Sequence, residues 1–205
     1  MAPVRIGAVE YLNARPLVHG LDRDPRFEVR YHIPALCAEL LHRGETDLGI
    51  IPSIEYLRGP GGPGNYRIVP EVVISSRGPV ASVALFTTRD MRDVRTVALD
   101  ASSRTSVALT RVMCARVFGI APEFESQGPD LAAMLSRADA ALVIGDKALY
   151  LKPGPLEVGE GAARRTVMVE KLDLGDLWFR TTGLPFVYAF WAGRPGVLDA
   201  GHMRA

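Results

Sequence analysis

The stretch LDASSRTSVALTRVM, from Leu99, places Ser102, Ser103, Arg104, Thr105 and Ser106 where an apolar strand ends and a helix-periodic segment begins. Apolar Val107, Ala108, Val112 and Ala115 belong to that helix-periodic segment. One Ser or Thr there would be an ordinary N-cap. Four hydroxyls and a guanidinium exceed what a cap needs, and a helix start also offers backbone N–H groups and a positive dipole that favour an anion. No Gly-rich loop followed by Lys and Ser/Thr is present, which counts against a nucleotide phosphate and points to a carboxylate.

Two further stretches carry side chains able to bind or to move a proton. VEYLNARPL, residues 9–17, follows the apolar Val4, Ile6 and Val9 and sets Glu10, Tyr11, Asn13 and Arg15 in a short turn, before Pro16 fixes a backbone angle suited to a first helical turn. SSRGPVASVALF, from Ser75, turns through Gly78 and Pro79, with Arg77 before the turn and Ser82 at the start of an apolar strand. A buried hydroxyl there requires a partner. A tight connection alone would account for the Gly-Pro pair.

A weak internal echo adds two more positions. LHRGETDLGIIPSIEYL, from Leu41, aligns without gaps on LSRADAALVIGDKALYL, from Leu135. Each copy reads as a helix end, a tight turn, a buried strand and the start of another helix. The two strand ends carry Pro52 and Ser53 in one copy, Gly145 and Asp146 in the other. Chance similarity between two ordinary helix–strand–helix units is the competing explanation. His19, His32, His42 and His202 show no metal-ligand spacing with the cysteines or acids, and no Gly-x-Ser-x-Gly elbow occurs. No metal site and no cofactor are expected.

The elements that must position these residues alternate. Strands are expected at Val4–Val9, Phe27–Tyr31, Leu48–Ile51, Ile68–Ile74, Val80–Phe86, Thr96–Leu99, Ala140–Ile144 and Phe186–Trp191. Helices are expected at Pro16–Leu21, Ala35–Arg43, Thr105–Phe118, Asp130–Ser136 and Leu174–Thr181. That is α/β architecture, with ligands at the carboxyl ends of strands. RGPGGPGN, residues 58–65, is a surface loop. At 205 residues and 48% hydrophobic, the chain can bury a real core as one large domain or two small lobes. With 24 basic against 23 acidic side chains, charge offers no case for a nucleic-acid or anionic-membrane partner. The amino terminus lacks a basic segment followed by an apolar one, and no apolar run is long enough to span a bilayer, so a cytoplasmic location is the expectation. Cys37 and Cys114, each flanked by apolar residues, read as core thiols rather than a disulfide.

Taken together, YLNARPL (Tyr11–Leu17), IIPSIEYL (Ile50–Leu57), SRGPVASV (Ser76–Val83), VALDASSRTSVAL (Val97–Leu109), ALVIGDKAL (Ala141–Leu149) and TGLPFVYAFWAGRPG (Thr182–Gly196) resemble, in order, the chorismate dehydratase family of the futalosine route to menaquinone. The resemblance implies a type II periplasmic-binding-protein-like fold: two α/β lobes joined by two crossover strands with a ligand cleft between them. The first lobe would comprise residues 1–85 and 186–205, the second 86–185. It implies a cofactor-independent hydro-lyase that takes the small-molecule substrate chorismate to 3-[(1-carboxyvinyl)oxy]benzoate. Position by position, Asn13 and Ser82 match family positions facing the substrate, Ser103, Arg104, Thr105 and Ser106 would hold a carboxylate, and Gly145 with Asp146 would close the other lobe on it. Tyr11, Ser53 and Arg77 are further substrate-binding candidates. Asp146 serves equally well as a base or as a capping or paired residue. Family members usually continue for several helices after FWAGRPG, whereas this chain stops at Ala205, and those helices would pack on the first lobe. Two other activities fit the same scaffold: a non-catalytic binding module for a small aromatic acid, and the sister enzyme that forms dihydroxynaphthoate. Oligomeric state is open.

Overall fold

A computed structural model describes residues 2–60, 62, 64–199 and 201–204. The chain divides into two compact units, residues 1–75 with 187–205 and residues 76–186. Each is built on its own sheet.

The first unit holds a five-stranded sheet in the order β2-β1-β3-β11-β4, with β1 Val4–Val9, β2 Phe27–His32, β3 Leu48–Pro52, β4 Arg67–Ser76 and β11 Phe186–Gly193. β1 runs parallel to both β2 and β3, and β11 runs antiparallel to β3. β3 is buried at every position because both faces are covered, so LGIIP reads as a continuous apolar run without alternation. Helix α1 (Arg15–Val18) is short. Helix α2 (Pro34–Arg43) starts on Pro34 in its first turn and stops at Gly44, whose left-handed φ of 78° lets its N–H reach the carbonyls of Leu40 and Leu41. α2 buries Cys37, Ala38 and Leu41. α3 (Ser53–Arg58) follows β3 directly. His42 on α2 bonds Tyr66 Oη at 2.8 Å and faces the buried carboxylate of Glu55 on α3, so this histidine ties the two helices to the start of β4.

The second unit holds a six-stranded sheet in the order β7-β6-β8-β5-β10-β9. Its strands are β5 Val83–Thr87, β6 Thr96–Asp100, β7 Glu123–Gln127, β8 Ala140–Ile144, β9 Gly154–Val158 and β10 Arg165–Asp173. β6 is parallel to β7 and β8, whereas β5 is antiparallel to β8 and β10. Helices α4 (Arg104–Met113), α5 (Leu131–Arg137), α6 (Gly145–Tyr150) and α7 (Leu174–Thr182) complete it, and α4 runs on into a π-helical turn at Cys114–Phe118. Ala84, Phe86, Ala98, Met134, Leu135, Ala141 and Val143 form its core. Both cysteines are buried and free, and burial pushes the Cys37 thiol up to about 12 and the Cys114 thiol up to about 11.

Several expectations change. Residues 76–85, expected in the first lobe, belong to the second unit, because β5 pairs with β8 and β10 there. The strand expected from Val80 begins only at Val83: Ala81 has a left-handed φ of 60°, outside the extended range of a regular strand. Strands β7, β9 and β10 were not expected. β7 and β9 are sheet edges: EFESQ is mostly polar, and GPLEV opens on Gly and Pro and is interrupted by Glu157, so neither shows the apolar run that marks a central strand. The echoed segments form matching units, α2–β3–α3 and α5–β8–α6. The loop expected at 58–65 is described except for residues 61 and 63, which lie outside the described residues.

Candidate functional site

In the first unit, β1 and β3 are parallel neighbours, so their carboxyl ends lie on one edge of the sheet about 5 Å apart. Asn13 and Ser53 follow those two ends. The turn after β1 is a single 3-10 turn, Leu12–Ala14, in which Ala14 is fully buried and anchors the segment to the core. Tyr11, Leu12 and Asn13 are exposed around that anchor, and the Asn13 amide makes no hydrogen bond among the described residues. The half-buried Ser53 hydroxyl donates to the Val187 carbonyl at 2.8 Å, so its proton serves the junction of α3 with β11. A cavity of about 340 Å³ in this unit is lined by Glu10, Arg15, His19, Asp22, Arg23 and Tyr31, and by neither Asn13 nor Ser53.

The second unit gathers most of the candidate residues on one sheet edge. The carboxyl ends of β6 and β8 lie there because those strands are parallel. The amino end of β5 lies there because Val83 pairs with Ile144, and the carboxyl end of β10 because Asp173 pairs with Ala84. Four adjacent strands therefore deliver Ser102–Ser106, Gly145–Asp146, Ser82 and Asp173 to one edge.

At the start of α4 the hydroxyls largely bind one another. Ser102 Oγ donates to the buried Asp100 carboxylate at 2.7 Å. Ser103 is the N-cap, accepting from the Ser106 N–H at 3.3 Å, and its hydroxyl pairs with Ser106 Oγ at 2.8 Å. Ser106 is 1% exposed and Thr105 4%. Three of the five polar residues thus hold the helix start in shape, and the half-buried Arg104 is the one carrying a cation there.

Gly145 opens α6 with φ +69°. No atom crowds the place where its Cβ would be, so glycine is needed for its backbone angle and not for space. Its N–H donates to the Ser82 carbonyl at 2.7 Å, locking the start of α6 to the residue before β5. The carboxylate of Asp146 is exposed and has no cation partner among the described residues. The half-buried Ser82 hydroxyl makes no hydrogen bond among them either. Arg77 lies exposed over the ring of Phe179 at 5.7 Å. Lys171, which sequence reasoning missed, reaches across to the Ala148 and Leu151 carbonyls at the end of α6. Its cation complements that terminus, a contact between residues about twenty positions apart that local pattern does not reveal.

A family model described as menaquinone biosynthesis matches residues 4–204. The chain belongs to this family. A family relative, the chorismate dehydratase of Thermus thermophilus, is 36% identical over 198 residues, which are 95% of this chain and 71% of that protein. Among solved structures, protein AF1704 of Archaeoglobus fulgidus superposes with a TM-score of 0.65 at 15% identity, over 99% of this chain and 72% of that one. The periplasmic aliphatic sulphonate binding protein SsuA of Escherichia coli gives a TM-score of 0.59 at 16% identity, over 96% and 66%. This family member therefore has a periplasmic-binding-protein-like α/β fold. No helix among its described residues is long and apolar enough to cross a membrane.

Proposed function

We propose that this protein is a chorismate dehydratase, a cofactor-independent carbon–oxygen lyase of menaquinone biosynthesis that converts chorismate to 3-[(1-carboxyvinyl)oxy]benzoate and water. The 36% identity to the Thermus thermophilus chorismate dehydratase over 95% of the chain carries this reading. The second unit supports it, because one sheet edge brings together the Arg104 cation and, with no partner among the described residues, the Ser82 hydroxyl and the Asp146 carboxylate.

The chemistry asks little beyond positioning. The ring carbon bearing the enolpyruvyl ether loses a proton, the electrons of that C–H bond become ring π electrons, and the hydroxyl on the neighbouring carbon departs. Proton and hydroxide together make the water released. Aromatisation supplies the driving force, so orientation is the main demand on the protein. Arg104 at the start of α4 holds a substrate carboxylate by a charge-assisted hydrogen bond, with Ser103 and Ser106 keeping that helix start in shape. Ser82 and Asn13 supply polar groups that have no partner among the described residues, and the Asn13 amide assists the departing hydroxyl. Tyr11 and Ser53 in the first unit and Arg77 in the second are further candidate substrate contacts. The proton goes to Asp146 or to a carboxylate of the substrate itself.

Incubation with chorismate, followed by ultraviolet spectroscopy and product analysis, tests the assignment. Conversion to the aromatic enol ether is the expected result. Binding of chorismate without conversion would instead make the chain a binding module. Formation of dihydroxynaphthoate from the sister enzyme's substrate, with chorismate untouched, would make it that enzyme.

A further inference from the structure

We infer that Asp173 is a positioning residue for the dehydration site, setting Ser82 and Gly145 through the backbone of the 77–82 turn. The inference rests on the proposed role of Ser82.

Asp173 is the last residue of β10 and the N-cap of α7, where its Oδ1 accepts from the Asp176 N–H at 3.0 Å. A cap needs no more than that. The same carboxylate also accepts from Val80 N–H, at 3.1 Å to each oxygen, and from Ala81 N–H at 2.6 Å to Oδ2. Those two amides lie some ninety residues earlier in the chain, in the turn that precedes β5. Ala81 is left-handed, at φ +60°, without being glycine. Such a conformation persists where surrounding bonds over-determine it, and here the carboxylate of Asp173 does so. Ser82 comes next, its N–H bonded to the Val80 carbonyl at 2.7 Å and its own carbonyl accepting from Gly145 N–H at 2.7 Å. A continuous chain of bonds therefore runs from Asp173 through Val80 and Ala81 to Ser82, and on to the first residue of α6. Arg77 over Phe179 of α7 fastens the same turn at its other end. The register places Asp173 opposite Ala84, two residues beyond Ser82 on the neighbouring strand.

Asp173→Ser separates capping from positioning. Serine is as good an N-cap as aspartate, but its hydroxyl sits one atom closer to the backbone and gives up the grip on Ala81. The expected result is a variant that still unfolds cooperatively, with a melting temperature lowered by the lost bonds to Val80 and Ala81 and kcat for chorismate lowered about 100-fold, the scale of a small misplacement of a reacting group. The loss in the double variant Asp173→Ser, Ser82→Ala should then fall well short of the product of the two single losses, since Asp173 acts in part through Ser82. Wild-type kcat in Asp173→Ser, or losses that multiply in the double variant, would overturn the inference.

Amide hydrogen exchange provides a readout independent of turnover. Faster exchange at Val80, Ala81 and Gly145 in Asp173→Ser, with Asp176 and the rest of the second unit still protected, is expected. Unchanged protection at those three amides overturns the positioning role, whether or not the wild-type protein consumes chorismate. Absence of wild-type turnover overturns only the dehydratase reading. If Asp173→Ser does not fold, Asp173→Asn is measured in the same two ways and judged by the same outcomes.

Discussion

Replacing Ser103 by alanine should destabilise the second unit more than loss of an ordinary cap does, because Ser103 serves two groups. Its hydroxyl caps the Ser106 N–H and pairs with the Ser106 hydroxyl at 2.8 Å. Losing the cap costs about 0.5–2 kcal/mol. The Ser106 side chain, 1% exposed, would then be left with a buried unsatisfied hydroxyl, which costs about 1–3 kcal/mol. The expected loss for Ser103→Ala is therefore about 1.5–5 kcal/mol by these two contributions. Urea unfolding of wild type and variant, followed by far-ultraviolet circular dichroism, measures it. The decisive comparison is the double variant Ser103→Ala, Ser106→Ala. Removing the orphaned hydroxyl along with its partner should recover about 1 kcal/mol or more relative to Ser103→Ala. A double variant less stable than Ser103→Ala by the full cost of a second independent mutation would refute the reasoning, since it would mean that the two hydroxyls do not satisfy each other.

Three further outcomes are expected. Arg104→Ala should weaken binding of the proposed product, 3-[(1-carboxyvinyl)oxy]benzoate, by about 10- to 100-fold in titration calorimetry, the loss of a charge-assisted hydrogen bond; unchanged affinity would remove Arg104 from the site. Asn13→Ala should leave the melting temperature unaltered, because the exposed amide has no partner among the described residues, while kcat falls by about two orders of magnitude or more; near-normal turnover would exclude Asn13 from the mechanism. Hydrogen bonds from Arg26 hold the Asp24 carboxyl down to about 2 from an ordinary 3.8, so this group contributes stability that is present above pH 4 and lost as pH falls toward 2. Asp24→Asn should accordingly flatten that part of the acid-denaturation curve, and an identical acid limb in both proteins would refute the assignment.

Much of the architecture was legible because apolar runs encode burial directly. VRIGAV, LGIIP and AALVI lie inside a sheet covered on both faces, and their composition says so wherever they occur in space. The echo between the Leu41 and Leu135 segments was legible for the same reason, since both repeat one helix–strand–helix pattern of burial. The polar candidates, Asn13, Ser82 and the Ser102–Ser106 cluster among them, were readable from the sequence only as types and positions. Their individual duties were not, because a hydroxyl's role depends on which partner it meets. At the start of α4, Ser102, Ser103 and Ser106 found partners within the turn itself, in Asp100 and in each other, leaving the cation of Arg104 as the distinguishing group. Edge strands β7 and β9 escaped notice because a strand that borders solvent carries little apolar signal. Asp173 escaped as well. From the sequence it is an acid before a helix; only folding brings it within hydrogen-bond reach of two amides some ninety residues away, where a backbone donor carries no mark in the sequence of the partner it will have.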